Sequence, residues 1–283
     1  MGMKISDLTN AATIVPASTY IEIEQTNLTA GVRSRKSLLS TFFGSIGTFL
    51  FGSTTPALTA NTTVNLLTTD TTAAKQAKID AVPKNLNGYT LTIQSADGVH
   101  TPGAVIDITG FYNGTINYYG NATDASLALT KSVSYAPSGD FATRFTGCIC
   151  KLNIYYIRWR GDNITANTQP MLQLSGCPDF DIRYCSFNAL SADKQGLGTY
   201  IINNSIGVIR DCWFQNCYNN TYAAISCFVS RSDNDEGSGG VPAGTALVSD
   251  RSIILNKEAL TGVAPLTFGK ANGGQVGDST GWL

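Results

Sequence analysis

The sequence predicts an all-β chain wound as a parallel β-helix, and three observations carry that expectation. The first is a short pattern that returns: residues 154–159 read Ile-Tyr-Tyr-Ile-Arg-Trp, 182–187 read Ile-Arg-Tyr-Cys-Ser-Phe and 209–214 read Ile-Arg-Asp-Cys-Trp-Phe, in steps of 28 and 27 residues. Steps of this size belong to solenoids, in which each repeat is one unit stacked on the last. The second lies inside the pattern. Ile154, Tyr156, Ile182, Tyr184 and Ile209 alternate with polar neighbours at period two, with β-branched and aromatic residues dominant, as strands require. The alternation then slips by one residue, through Ile157, Cys185 and Cys212 to Trp159, Phe187 and Phe214, which reads as a bend between two strands of one coil. The third is composition. Only 14% of the 283 residues are charged and 28 are glycine, and the polar character comes from Thr, Asn, Ser and Gly, residues of turns and solvent-facing strand positions.

The remaining elements follow in chain order. Residues 1–60 form a separate module: Tyr20-Ile21-Glu22-Ile23-Glu24 alternates, Asn27 to Gly31 turns, and Val32 to Lys36 alternates back, a hairpin with an acidic and a basic arm. The apolar run from Leu38 to Phe51, with Phe42 and Phe43, is too short and too rich in Ser, Thr and Gly to cross a bilayer, and is expected to face a subunit or a core. No secretory leader is legible at the start of the chain. Residues 61–83 read as an extended, Thr-rich linker and one helix, from Thr71 to Val82, stopped by Pro83, capped by Asp70 or a following threonine, with Ala74, Ala77, Ala81 and Val82 as its apolar stripe. That helix is placed to cover the open first coil of a solenoid. The coils are expected over 84–230, with excursions at 121–144 and 188–199. Residues 231–283 read as an acidic Gly-rich loop, one further strand near Ile253 and a tail whose Trp282-Leu283 needs a docking place.

The capping helix ending in Ala81-Val82-Pro83, the Gly88-Tyr89-Thr90-Leu91-Thr92-Ile93 strand after it and coils of the Ile-Arg-Asp-Cys-Trp-Phe type resemble the pectate-lyase-like right-handed β-helix of bacteriophage tail spikes and tail fibres. The opening Met3 to Ala12, with the hairpin at 20–36, is similar to segments by which such proteins join the virion. The resemblance implies a homotrimeric virion component, made in the bacterial cytoplasm and carried in the phage tail. Its attachment residues would be Tyr20, Ile21, Ile23, Phe42 and Phe43, and its partners other tail or baseplate proteins and a host surface polysaccharide.

The chemistry expected of the chain is modest. A formal net charge of −1 gives no electrostatic footprint for nucleic acid or an anionic membrane. The seven cysteines include no Cys-x-x-Cys pair, so no zinc site or other cofactor is expected. Cys185 and Cys212 read as small buried groups stacked in adjacent coils, with a disulfide or metal role as the alternative. The single histidine, His100, sits in what reads as a turn and has no nucleophile elbow to serve. Glycoside hydrolysis would need two carboxyl groups facing one bond, for which Asp179, Asp181 and Asp211 are candidates, although turn and ion-pair roles explain them equally. The acidic run Asp233 to Glu236 reads as a solvated loop. Arg183 and Arg210 share a repeat position and stack two positive charges. With Tyr155, Trp213 and Tyr218 they form the candidate glycan-binding set, aromatic faces for sugar rings beside cations for acidic ones. The expected work is structural, in a tail fibre or baseplate, with recognition of a host glycan as an added role. A polysaccharide-degrading spike and a purely bridging subunit are the alternatives, and enzymatic action is the less favoured reading.

Overall fold

The computed structural model describes residues 56–100, 105–121, 133–135, 142–161, 164, 169–188, 196–234, 247–256, 268–278 and 281–282. These belong to one unit, Thr55–Leu283. The hairpin at 20–36, the segment 38–51 and the attachment residues Tyr20, Ile21, Ile23, Phe42 and Phe43 lie outside the described residues.

Strands dominate, and among the described residues they form three sheets of ten, seven and five strands. Every pairing between named strands is parallel except the last. Successive strands of the chain pass from the ten-stranded to the five-stranded to the seven-stranded sheet and then begin the next coil, as in Ile149–Tyr155, Arg158–Arg160 and Pro170–Ser175. Each coil thus repeats the one below, and like residues stand above like. The inward row Val64, Ile93, Tyr118, Ile154, Ile182 and Ile209 is in register throughout. Beside it Trp159, Phe187 and Phe214 stack at 5.0 and 4.9 Å between centroids, with planes within 11° of parallel. The apolar row then ends: next in register come Arg231 and Asn256, both buried, and the Arg231 guanidinium lies 5.1 Å over the Phe214 ring.

The corners explain the slipped alternation. Tyr156, Tyr184 and Asp211 have φ of 61°, 52° and 52°, the left-handed region, which turns the chain through the bend and throws their side chains outward. Ile154 and Ile157 are therefore both inward although three residues apart. Tyr156 and Tyr184, read from period two as core positions, are bend residues on the outside. Backbone pairing continues through the bends, as from Tyr156 N–H to Arg183 C=O at 3.3 Å. At the corner leading back to the ten-stranded sheet, Gly110, Gly147 and Gly176 take positive φ, and Cys148, Cys177, Ser205, Cys227 and Ser252 follow as buried residues at successive bends. The Ser205 hydroxyl accepts from Cys177 N–H and the Ser252 hydroxyl from Cys227 N–H, each at 3.0 Å. All seven cysteines are free and buried, and the Cys185 and Cys212 thiols are directed at carbonyls of the preceding coil.

Several boundaries differ from the sequence reading. The supposed linker already holds the first strand, Thr62–Leu66, which buries Val64 and Leu66 and pairs with Thr90–Ser95; an alternation of only two apolar residues among threonines is easily read as extended coil. The one helix among the described residues, α1, spans Thr72–Asp80 with Thr71 as N-cap, its hydroxyl accepting from Ala74 N–H. Its buried residues are Lys75 and Ile79; of the expected stripe Val82 is buried and Ala74 half-buried, while Ala77 and Ala81 are exposed. The expected excursion 121–144 contains Val133–Tyr135 and the start of Thr143–Thr146. Residues beyond Phe228 continue the coils through Phe228–Ser232, Leu247–Asp250, Ile253–Asn256, Phe268–Ala271 and Gln275–Asp278. Gly281–Trp282 then folds back antiparallel on Gln275–Asp278 at the edge of the ten-stranded sheet. Among the described residues no helix is long and apolar enough to cross a membrane.

Candidate functional site

The outer face of the ten-stranded sheet gathers the chemistry. Outward positions on neighbouring strands fall into rows. One row runs Thr92, Asn117, Asn153, Asp181, Val208, and the next runs Gln94, Tyr119, Tyr155, Arg183, Arg210. Two residues apart along a strand put the rows side by side on one face. The bend residues Tyr156 and Tyr184 line its margin.

Tyr119 and Tyr155 stack at 5.4 Å with planes 13° apart, and Tyr156 and Tyr184 stack at 5.1 Å and 9°. Tyr155 and Tyr156 meet edge to face at 6.3 Å, which joins the pairs into one cluster. The polar groups are tied to it. The Tyr155 hydroxyl donates to Asp181 Oδ2 at 3.1 Å; Arg183 donates from Nε to Asp181 Oδ1 at 2.7 Å and from a terminal nitrogen to Oδ2, and its guanidinium lies 5.3 Å over the Tyr155 ring. Arg210 approaches the same Oδ2 at 3.6 Å. In the row of Asp181 itself, Asn153 donates to Asn117 at 2.8 Å. Burial and then the neighbouring Asp181 carboxylate push the Tyr155 hydroxyl up to about 12, so it stays a neutral donor at any physiological pH. Burial likewise raises Tyr119. For Arg183 burial opposes the charge, but the hydrogen bond and charge of Asp181 outweigh it and the pKa rises.

Of the glycan candidates, the fold brings Tyr155, Arg183 and Arg210 together here. Trp213 is 6% exposed on the five-stranded sheet and offers no free ring face. Tyr218 is half-buried at the turn before Asn219–Ala224, on another side of the coil, its N–H bonded to Gly196 C=O. Of the carboxylates, Asp179 is exposed two residues before Asp181 on the same face, roughly 7 Å along the strand. Asp211 occupies the bend, three residues past the register partner of Asp181 and roughly 10 Å along the sheet. His100 ends the two-residue strand Val99–His100 instead of lying in a turn, and its Nε2 is 3.0 Å from Ser95 Oγ and 2.9 Å from Ala96 O. Asp233 is exposed with φ 56°; Asp235 and Glu236 lie outside the described residues. Among the described residues no group of three or more His, Cys, Asp or Glu side chains is arranged to hold a metal ion.

Five members of the cluster, Tyr119, Tyr156, Tyr184, Asn117 and Asn153, escape the sequence reading as site residues. The signal for Tyr156 and Tyr184 is their shared repeat position beside a phase slip. Tyr119 and Asn117 give none, because the coil that carries them is longer than the repeat.

Fold and site together define a parallel β-solenoid with an aromatic and ionic outer face. No protein-family model matches the chain, and neither curated proteins nor solved structures give a significant match.

Proposed function

We propose that this chain is a structural component of a bacteriophage tail fibre or baseplate that recognises a host surface glycan through the outer face of its long sheet. The observation that carries the glycan reading is the cluster of two stacked tyrosine pairs, set edge to face and locked to the Asp181–Arg183 pair. Sugar rings stack on aromatic surface left open, as on the exposed Tyr184, and their hydroxyls exchange hydrogen bonds with fixed polar groups such as Asn117 and Asn153. The virion assignment rests on the tail-fibre resemblance of the helix, the Gly88 to Ile93 strand and the repeating coils. In this reading the β-helix is right-handed, the hand that strand twist favours for parallel crossovers, and α1 is its cap. Support for the cap comes from Gln76, whose amide bonds both Asp107 N–H and Asp107 C=O at 2.8 Å on the edge strand of the seven-stranded sheet, where a further strand would otherwise pair.

The working assembly is a homotrimer. Ile206, Phe228 and Ile253 form an apolar row in register on the outside of the sheet, with Ile206 and Phe228 exposed, and a second copy of the chain would cover it. A solution mass of three chains is expected. Hydrolysis is the lesser reading because both Asp181 oxygens already accept hydrogen bonds, which leaves Asp179 without an equally available partner.

A glycan array tests recognition. Tyr184 is 43% exposed, so Tyr184→Ser removes half of a stacked pair without opening the core. Binding of a surface glycan is expected to fall about three- to tenfold in the variant, in line with aromatic contacts of about 0.5–1.5 kcal/mol. Binding that Tyr184→Ser leaves unchanged would exclude this face. Release of shortened oligosaccharides, abolished by Asp181→Ala or Asp211→Ala, would replace recognition with cleavage.

A further inference from the structure

The outer row Gln94, Tyr119, Tyr155, Arg183, Arg210 and Ser232 changes from aromatic to cationic halfway along. One carboxylate, Asp181, stands beside the change, and two guanidiniums share it unequally. Arg183 closes a two-pronged pair on both of its oxygens. Arg210 lies 3.6 Å from Oδ2, beyond hydrogen-bond range, and its own Nε has no hydrogen-bond partner among the described residues. Its side chain keeps 37% of its surface exposed, and the next residue in the row, Ser232, brings no charge. Arg210 therefore shares Asp181 only through a longer ion pair, and with its Nε buried it is the terminal nitrogens of a partly exposed guanidinium that stand at the end of the tyrosine row.

Resting on the glycan reading above, we propose that the ligand is an acidic saccharide, whose rings lie along the outward edges of the stacked Tyr119–Tyr155 pair and whose anionic oxygens are taken by the terminal nitrogens of Arg210. A guanidinium fork matches the paired oxygens of a carboxylate or a phosphate, which a point charge such as lysine does not. The spacing sets the length. Tyr155 and Arg210 are two strands apart, roughly 10 Å at the ordinary strand separation, so a ring beside the Tyr155 edge and an anionic group at Arg210 belong to neighbouring sugars of a chain running along the solenoid axis. Asp181 holds Arg183 back and leaves Arg210 as the recognising cation.

The test measures binding of the full chain to five immobilised polymers: polygalacturonate and hyaluronate for carboxylates, a ribitol-phosphate teichoic acid for phosphate, and dextran and mannan as neutral controls. At least one acidic polymer is expected to bind, more weakly as salt rises, and dextran and mannan are not. Arg210→Gln should weaken that binding about ten- to hundredfold, the loss of one charge-assisted contact, with Arg210→Lys in between. An unchanged thermal midpoint in Arg210→Gln shows that the fold is intact; a lowered one moves the comparison to Arg210→Lys, where retained full affinity overturns the fork. Carboxylate and phosphate sources are separated by which polymer binds. Acidic binding indifferent to Arg210→Gln, or neutral polymers bound as well as acidic ones, overturns the inference while leaving glycan recognition standing. Failure to bind any of the five counts against glycan recognition itself.

Discussion

His100, the one imidazole of the chain, is buried against Ser95 and Ala96. Burial lowers its pKa from 6.5, with Lys75 adding to the effect and the Ala96 hydrogen bond and Asp70 opposing it. The sign of the consequence is fixed. The unfolded chain takes up a proton near pH 6.5, whereas the folded chain refuses it until a lower pH, so the unfolded state binds more protons in that window and stability falls as pH drops through it. Below the folded pKa the loss levels off. Replacing His100 by Gln removes this contribution alone. Urea midpoints measured from pH 7.5 to 5.5 should decline more steeply for the wild type than for His100→Gln, and parallel profiles would show that the histidine is not held neutral by the fold. The outward tyrosines are a second case in which one residue's backbone decides its role. A bulky side chain in the left-handed region is unusual, and at positions 156 and 184 it is what moves a ring from the core row to the outer face.

At the scale of one strand, close stacking sets limits that composition does not reveal. Gly207 is in register with Phe180 on an inward row that otherwise reads Leu152, Phe180, Val229, Ile254. The Phe180 ring fills the space above it. A Cβ at 207 would stand 2.2 Å from Phe180 O and 2.5 Å from two ring atoms. Gly207→Ala should lower the unfolding free energy by about 1–3 kcal/mol, the usual cost of overpacking. Adding Phe180→Leu should not restore it, since the shortest contact is to backbone; recovery in the double variant would mean that the ring alone sets the constraint. The three clean repeats were legible because equal coil lengths bring equal residues to the same corner. Val133–Tyr135 was not, since three residues carry no period. The site was half legible for the same reason. Tyr155, Arg183 and Arg210 belong to the repeats, but Asn153 bonds to Asn117 across 36 residues, and no 27- or 28-residue step points from one to the other. Trp213 shows the converse: its repeat position is shared with Ser186 and Arg158, both buried, and alternation alone could not say that this outer surface is covered.

Taken whole, the described unit is a stack in which each coil contacts chiefly its neighbours, so its stability is a sum of local terms and interfaces and opening starts at the ends. The cysteines make that order measurable. They are free and buried, and they mark four consecutive coils: Cys148 and Cys150, then Cys177 and Cys185, then Cys212 and Cys217, then Cys227. On the amino-terminal side lie three further coils and α1. On the carboxyl-terminal side, beyond Cys227, the interior row has turned to Arg231 and Asn256, and the Asn256 amide has no hydrogen-bond partner among the described residues. A buried amide left without a partner costs about 1–3 kcal/mol. That end is therefore expected to open first. Pulsed alkylation in sub-denaturing urea, read by peptide mass spectrometry, should label Cys227 earliest, Cys212 and Cys217 next, and Cys177 and Cys185 with Cys148 and Cys150 last. Simultaneous labelling of all seven would mean that the solenoid unfolds as a single cooperative unit, and labelling that begins at Cys148 would place the weak end at the helix.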